Sequence, residues 1–166
     1  MTRNERKNNF LFPKFTGRYL LRLLIIAIGA YLFFSEICIP VHINGISMEP
    51  TYRDGAFTFC CRLPYLLHKP RVGDIVFIRM SGKKVMYMKR VIALSGDRVA
   101  FQNGYLYVNG RLRQEDYVIT SSNWNLPPRT VKPGCVYVAG DNRAISLEDQ
   151  VFGQVPISRI VGKTIW

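Results

Sequence analysis

One stretch limits the possible folds more than any other: "YLLRLLIIAIGAYLFFSEICI", Tyr19 to Ile39. Its uncharged run, Leu23 to Ser35, is 13 residues long. A helix rises ~1.5 Å per residue and a hydrocarbon core is ~30 Å thick, so a span needs about 20 residues. The stretch reaches that length once the Arg22 stem snorkels to one interface and Glu36 lies at the other. A basic start followed by a short apolar run also fits a cleaved leader. Cleavage needs small residues, however, and here the run ends "YLFFSEICIP". The expectation is an uncleaved single span, with residues 1–18 basic and cytoplasmic, 19–39 spanning, and 40–166 outside the cytoplasm.

Charge supports a membrane setting. The chain has 166 residues and a formal charge of +12. From Pro40 onward it still holds 17 basic against 9 acidic residues. Such a balance favours anionic lipid surfaces or acidic partners. No zinc-finger or single-strand-binding aromatic pattern supports nucleic acid as a partner. The four Cys lack the spacing of a zinc site, so no metal or other cofactor is expected. An oxidising compartment would permit a bridge from Cys60 or Cys61 to Cys135. Buried free thiols are the alternative.

Beyond the span the pattern is mainly β. Short apolar, β-branched runs at 56–61, 73–80, 84–96, 135–142 and 159–165 read as strands. Residues 97–112 read as a hairpin turning at "QNGY", with "VNGR" as the next turn. Residues 121–134 read as a Pro-containing loop, and 145–153 as one possible helical turn. The expected domain is a folded antiparallel sheet, barrel-like, with few short helices.

Two residues carry the chemistry. Ser47 sits in "GISMEPTY" without a neighbouring His-Asp pair. Lys89 sits in "VMYMKRVIAL". Counting by two, Lys89 shares a face with Tyr87 and Val91, and Arg90 shares the other with Met88 and Ile92. An inward-packed face desolvates its cation. Desolvation lowers an ammonium pKa and can leave a neutral lysine able to take a serine proton. Arg90 is expected to pair with Asp74 or Asp97. His42 is a rival base, five positions before Ser47.

"SMEPTY", "RVGDIVFI", "YMKRVIALSGDRV" and "GDNRAISLED…FGQVP", in that order behind an apolar segment, resemble the bacterial type I signal peptidases. The resemblance implies an endopeptidase that removes signal peptides from exported preproteins at the outer face of the cytoplasmic membrane. It implies Ser47 as nucleophile, Lys89 as general base, and the Ser47 N–H as an oxyanion donor. It also implies Ser146 as the hydroxyl that orients the lysine, and Asp141, Asn142 and Arg143 as a buttressing turn. Glu148 would be a supporting carboxylate.

The sequence departs from that pattern in four places. Gly45 stands where some relatives have an oxyanion serine, Ala144 and Ile145 replace Asp-Asn, Gln150 replaces an arginine, and a large accessory domain is missing. Small-x-small cleavage sites would fit shallow pockets, with Ile43, Ile46, Val85 and Tyr87 as candidate walls. The alternatives are a processing peptidase dedicated to one pilin or secretion-system substrate, and a degenerate relative that binds signal peptides without cutting.

Overall fold

A computed structural model of the chain describes residues 16–79, 86–120, 123–149 and 153–165. Contacts divide it into two units, Met1–Glu36 and Ile37–Trp166. In the first, helix α1 spans Gly17–Leu32 and passes into one turn of π-helix at Phe33–Ile37. Together Gly17–Ile37 form a 21-residue segment of mean hydropathy 2.0 with none of its apolar window buried against protein. At ~1.5 Å per residue this matches a hydrocarbon core. The helical segment ends two residues before the expected boundary. Cys38 and Ile39 already belong to strand β1 (Cys38–His42), whose Pro40 and neighbouring apolar run conceal it as the tail of the span.

The second unit is built from antiparallel strands. β2 (Phe57–Cys61), β3 (Ile75–Arg79), β4 (Met86–Ala93), β9 (Cys135–Ala139), β10 (Gly153–Pro156) and β11 (Ile160–Thr164) join β1 in a seven-stranded sheet of order β1-β2-β11-β3-β4-β9-β10. β5 (Arg98–Gln102), β6 (Tyr105–Val108), β7 (Arg111–Leu112) and β8 (Leu126–Thr130) form a four-stranded sheet of order β7-β6-β5-β8. The expected hairpin is β5–β6, turning at Asn103-Gly104, where both φ angles are positive, 49° and 83°. That conformation suits a two-residue hairpin turn, and Asn-Gly adopts it at little cost.

β8 is a correction. The Pro-containing stretch expected to be loop contains a strand, "LPPRT". Its register slips between its contacts with Val99 and Phe101, and the two prolines fall within that irregularity. Pro is tolerated there because β8 is an edge strand. Among the described residues no helix forms over 145–149, which holds turns only.

The core lies between and around the sheets. Ile92, Ala93, Tyr137 and Ala139 of the larger sheet pack on Val99, Phe101, Leu106 and Val108 of the smaller, with Trp124 buried among them. Trp124 donates to the Ile145 carbonyl at 2.9 Å from within this cluster. A second cluster centres on Val76, Ile78, Val91, Val136 and Val138. Tyr65 of the short helix α2 (Leu63–Leu67) packs on its edge. A third gathers Ile43, Met48, Cys60, Phe77 and Met88. Both faces of β3 and β4 are therefore covered.

All four cysteines are free. The sheet order places Cys135 on β9, four strands from β2. At ~4.8 Å per strand this separates it from Cys60 and Cys61 by roughly 19 Å, which excludes the bridge the sequence permitted.

Candidate active site

The 43–56 connection between β1 and β2 carries Ser47. Gly45 adopts φ +115°, a region L side chains rarely occupy, and its N–H donates to Asp54 Oδ1 at 2.7 Å. The loop is tied from inside by Met48, which is 1% exposed and packs against Phe77 and Met88. From the other side Asn142 grips it. Its backbone N–H donates to the Ser47 carbonyl at 3.1 Å, and its amide Nδ2 donates to the Ile46 carbonyl at 3.1 Å. Among the described residues the Ser47 N–H donates to no acceptor.

Lys89 lies on β4, opposite Val76 in the ladder, while Met88 lies opposite Phe77. The alternation read from sequence therefore holds, and because both faces are covered both cations are desolvated. They are compensated unequally. Arg90 Nε donates to Asp141 Oδ1 at 2.8 Å and Nη2 to Oδ2 at 2.6 Å, a bidentate pair with a fully buried carboxylate. Thr51 adds a hydroxyl to the same carboxylate at 2.5 Å. Burial alone would depress the Arg90 pKa, but Asp141 holds it above its ordinary value.

Lys89 is 3% exposed and forms no ion pair among the described residues. Burial pulls its pKa from the usual 10.5 down to about 8, against a smaller opposing pull from Asp141. The carboxylate partner of Arg90 is thus Asp141. Asp74, one of the two expected partners, accepts from Lys163 at 2.8 Å and Tyr65 at 2.9 Å. Asp97, the other, accepts from the Leu94 N–H and from Asn109.

The 140–143 turn connects these parts. Arg143 is 1% exposed; its Nε donates to the Gly140 carbonyl at 2.8 Å, and Nη1 and Nη2 donate to Glu115 at 2.9 and 2.6 Å. The Tyr117 hydroxyl donates to the same Glu115, and the Tyr117 ring lies 3.9 Å under the Arg90 guanidinium. Asp141, Arg90, Tyr117, Glu115 and Arg143 form one continuous network. Glu115 and Tyr117 escaped sequence reasoning. Their signal was weak, a carboxylate and an aromatic in a loop after β7, two positions apart.

A cavity of about 310 Å³ opens beside Ser47. Val41, Ile43, Met48, Phe77, Met86 and Tyr87 supply most of its apolar wall. Of the expected wall residues, Ile43 and Tyr87 line it. Ile46 is half exposed and lies outside the lining, and Val85 lies outside the described residues. His42 reaches the cavity rim, but its Nδ1 is 3.0 Å from Asn44 Oδ1 and its ring stacks edge-on against Phe57. Ser146 is exposed; its hydroxyl donates to Asp149 at 2.7 Å and accepts from the Asp149 N–H. Glu148 is exposed and forms no ion pair among the described residues, and Gln150 lies outside them.

No hydrogen bond joins Ser47 to Lys89 among the described residues. In unliganded sites such contacts are often long and tighten on substrate binding. A hydroxyl lining an apolar cavity and a buried lysine without a counter-charge, on the strand whose Met86, Tyr87 and Met88 line that cavity, are the parts of a serine hydrolase that works without histidine.

The sequence comparisons give the same class. The family described as "Signal peptidase, peptidase S26" matches residues 16–166, and the chain belongs to that family. It is 34% identical over 155 residues to a probable signal peptidase I-1 of Synechocystis sp., covering 89% of this chain and 78% of the relative. It is 33% identical over 177 residues to the signal peptidase I of Bacillus caldolyticus, covering 98% and 92%. It is also 32% identical to thylakoidal processing peptidase 1 of Arabidopsis thaliana, covering 81% of this chain but 43% of that one. The chain is a serine endopeptidase of the signal peptidase type.

Proposed function

We propose that this chain removes signal peptides from preproteins by acyl transfer, with Ser47 as nucleophile and Lys89 as its general base. One observation carries the reading: of two adjacent buried cations, Arg90 is neutralised by Asp141 and Lys89 is not, which leaves Lys89 an ammonium that sheds its proton near pH 8. Neutral Lys89 takes the Ser47 proton as the hydroxyl attacks the scissile carbonyl. The resulting ammonium then protonates the leaving amine, and a water activated by the same lysine releases the acyl group.

The Ser47 N–H, without an acceptor among the described residues, is the donor we assign to the developing oxyanion. Asn142 positions the loop by its two bonds to the Ile46 and Ser47 carbonyls. Asp141 and Arg143 hold that turn in place. Ser146, whose hydroxyl is held by Asp149, and Glu148 are supporting residues at its far end. The cavity walled by Ile43, Met48, Phe77 and Tyr87 takes small side chains before the cut, giving small-x-small selection.

Gly17–Ile37 anchors the chain once through a bilayer, with Arg18 and Arg22 and the basic residues before them on the cytoplasmic side. Residues 40–166 then work on the outer face of a bacterial cytoplasmic membrane. The test is cleavage of a preprotein with an Ala-x-Ala site by the full chain in lipid. Ser47→Ala and Lys89→Ala should each reduce cleavage by at least ~10³-fold while thermal unfolding stays cooperative. Near-normal cleavage by either variant would sink the assignment.

A further inference from the structure

Cys38 and Cys61 are direct partners in the β1–β2 ladder. The Arg62 N–H donates to the Ile37 carbonyl at 2.9 Å, just outside the pair. That bond marks Cys38–Cys61 as a non-hydrogen-bonded pair, the type whose Cα atoms lie ~4.5 Å apart with side chains on one face. Disulfides span Cα separations of ~4.4–6.8 Å, so this pair can be bridged without backbone rearrangement. The neighbouring thiol cannot compete. Cys60 points to the opposite face, fully buried among Ile43, Met48 and Phe77, and burial pushes it up to about 12. Cys135 is four strands away.

We propose that Cys38 and Cys61 are a disulfide site, a staple across the base of the hairpin that carries the active-site loop. The bond encloses the whole 43–56 connection, Ser47 included. Both thiols are shielded, 5% and 9% exposed. β1 is the outermost strand of its sheet and the pair shares its face with Pro40, His42 and the exposed Phe57, so local opening of that edge admits an oxidant. The oxidant is an external disulfide. One cysteine thiolate attacks it and releases one reduced thiol. The second cysteine thiolate then displaces the other, so two thiols lose two protons and two electrons while the external disulfide is reduced to two thiols.

The experiment uses the full chain in detergent micelles, oxidised glutathione as the probe, and mass-tagging of remaining thiols after denaturation. Wild type should fall from four tags to two and yield a linked Cys38–Cys61 peptide, with unfolding shifted up on the order of 10 °C. Cys60→Ser and Cys135→Ser should each fall from three tags to one. Cys38→Ser and Cys61→Ser should keep three and show no upward shift. Four tags retained by folded wild type would overturn the proposal. So would a glutathione adduct without the Cys38–Cys61 link, or a link through Cys60, Cys135 or a second copy. Cys60→Ser and Cys135→Ser keep the question answerable if a β1 variant fails to fold, and none of these outcomes depends on Ser47 being the nucleophile.

Discussion

Lys89 and Arg90 are chemically close and adjacent in sequence, yet the fold gives them opposite fates. Arg90 receives a bidentate carboxylate, a Gly73 carbonyl at 3.1 Å and an aromatic face. Lys89 is buried, forms no ion pair among the described residues, and has only a weaker opposing pull from Asp141 against its desolvation. Activity should therefore rise with pH through a midpoint near 8 and level off above it, as read from kcat/KM across pH 6–10. A flat profile over that range would contradict the role given to Lys89. Stability should follow the same group. The unfolded chain keeps the lysine proton up to about 10.5, while the folded chain gives it up near 8, so stability rises with pH between those values. Below that window the buried charge is a cost on the order of 3 kcal/mol, an upper bound set by the shift. Lys89→Met should thus unfold at a higher temperature than wild type at pH 7, by several degrees, while being inactive.

At the scale of elements, the strands most visible in sequence were those with alternating or β-branched runs and Asn-Gly turns. β3, β4, β5 and β6 follow the reading within a few residues. β1 and β8 do not. Each contains proline, and each survives as an edge, a property of the sheet as a whole that a local window does not contain. The 43–56 connection was legible as a motif but not as a conformation. Gly45 read as a missing hydroxyl, whereas the structure shows a backbone requirement, φ +115° with its N–H held by Asp54. Installing the serine that some relatives carry should then strain the loop. Gly45→Ser should lower stability by about 1–2 kcal/mol in chemical denaturation and bring no gain in kcat.

For the whole molecule, Ser47 and Lys89 could be singled out as candidates because each sits in a distinctive local string. The contacts that hold them were not, because they connect distant segments. Asp141 meets Arg90 across 51 positions and Arg143 meets Glu115 across 28, and no periodicity encodes such pairings. The Arg143–Glu115 pair fastens the 140–143 turn to the segment following β7. Glu115→Ala leaves a buried guanidinium without its carboxylate and should cost about 3–5 kcal/mol in urea unfolding, with Glu115→Gln costing less.

One dimension of the chain has a kinetic meaning. Ile37 ends the candidate span and Ser47 follows ten residues later. Ten residues extend no further than about 36 Å, so the proposed nucleophile is leashed to the point where the chain leaves the apolar segment. Under the proposed function, a preprotein held by its own apolar helix in the same bilayer is met within a thin layer rather than throughout a volume, and the local concentration is set by that leash. Spreading enzyme and preprotein among separate detergent micelles should raise KM steeply while kcat stays near its value in shared vesicles.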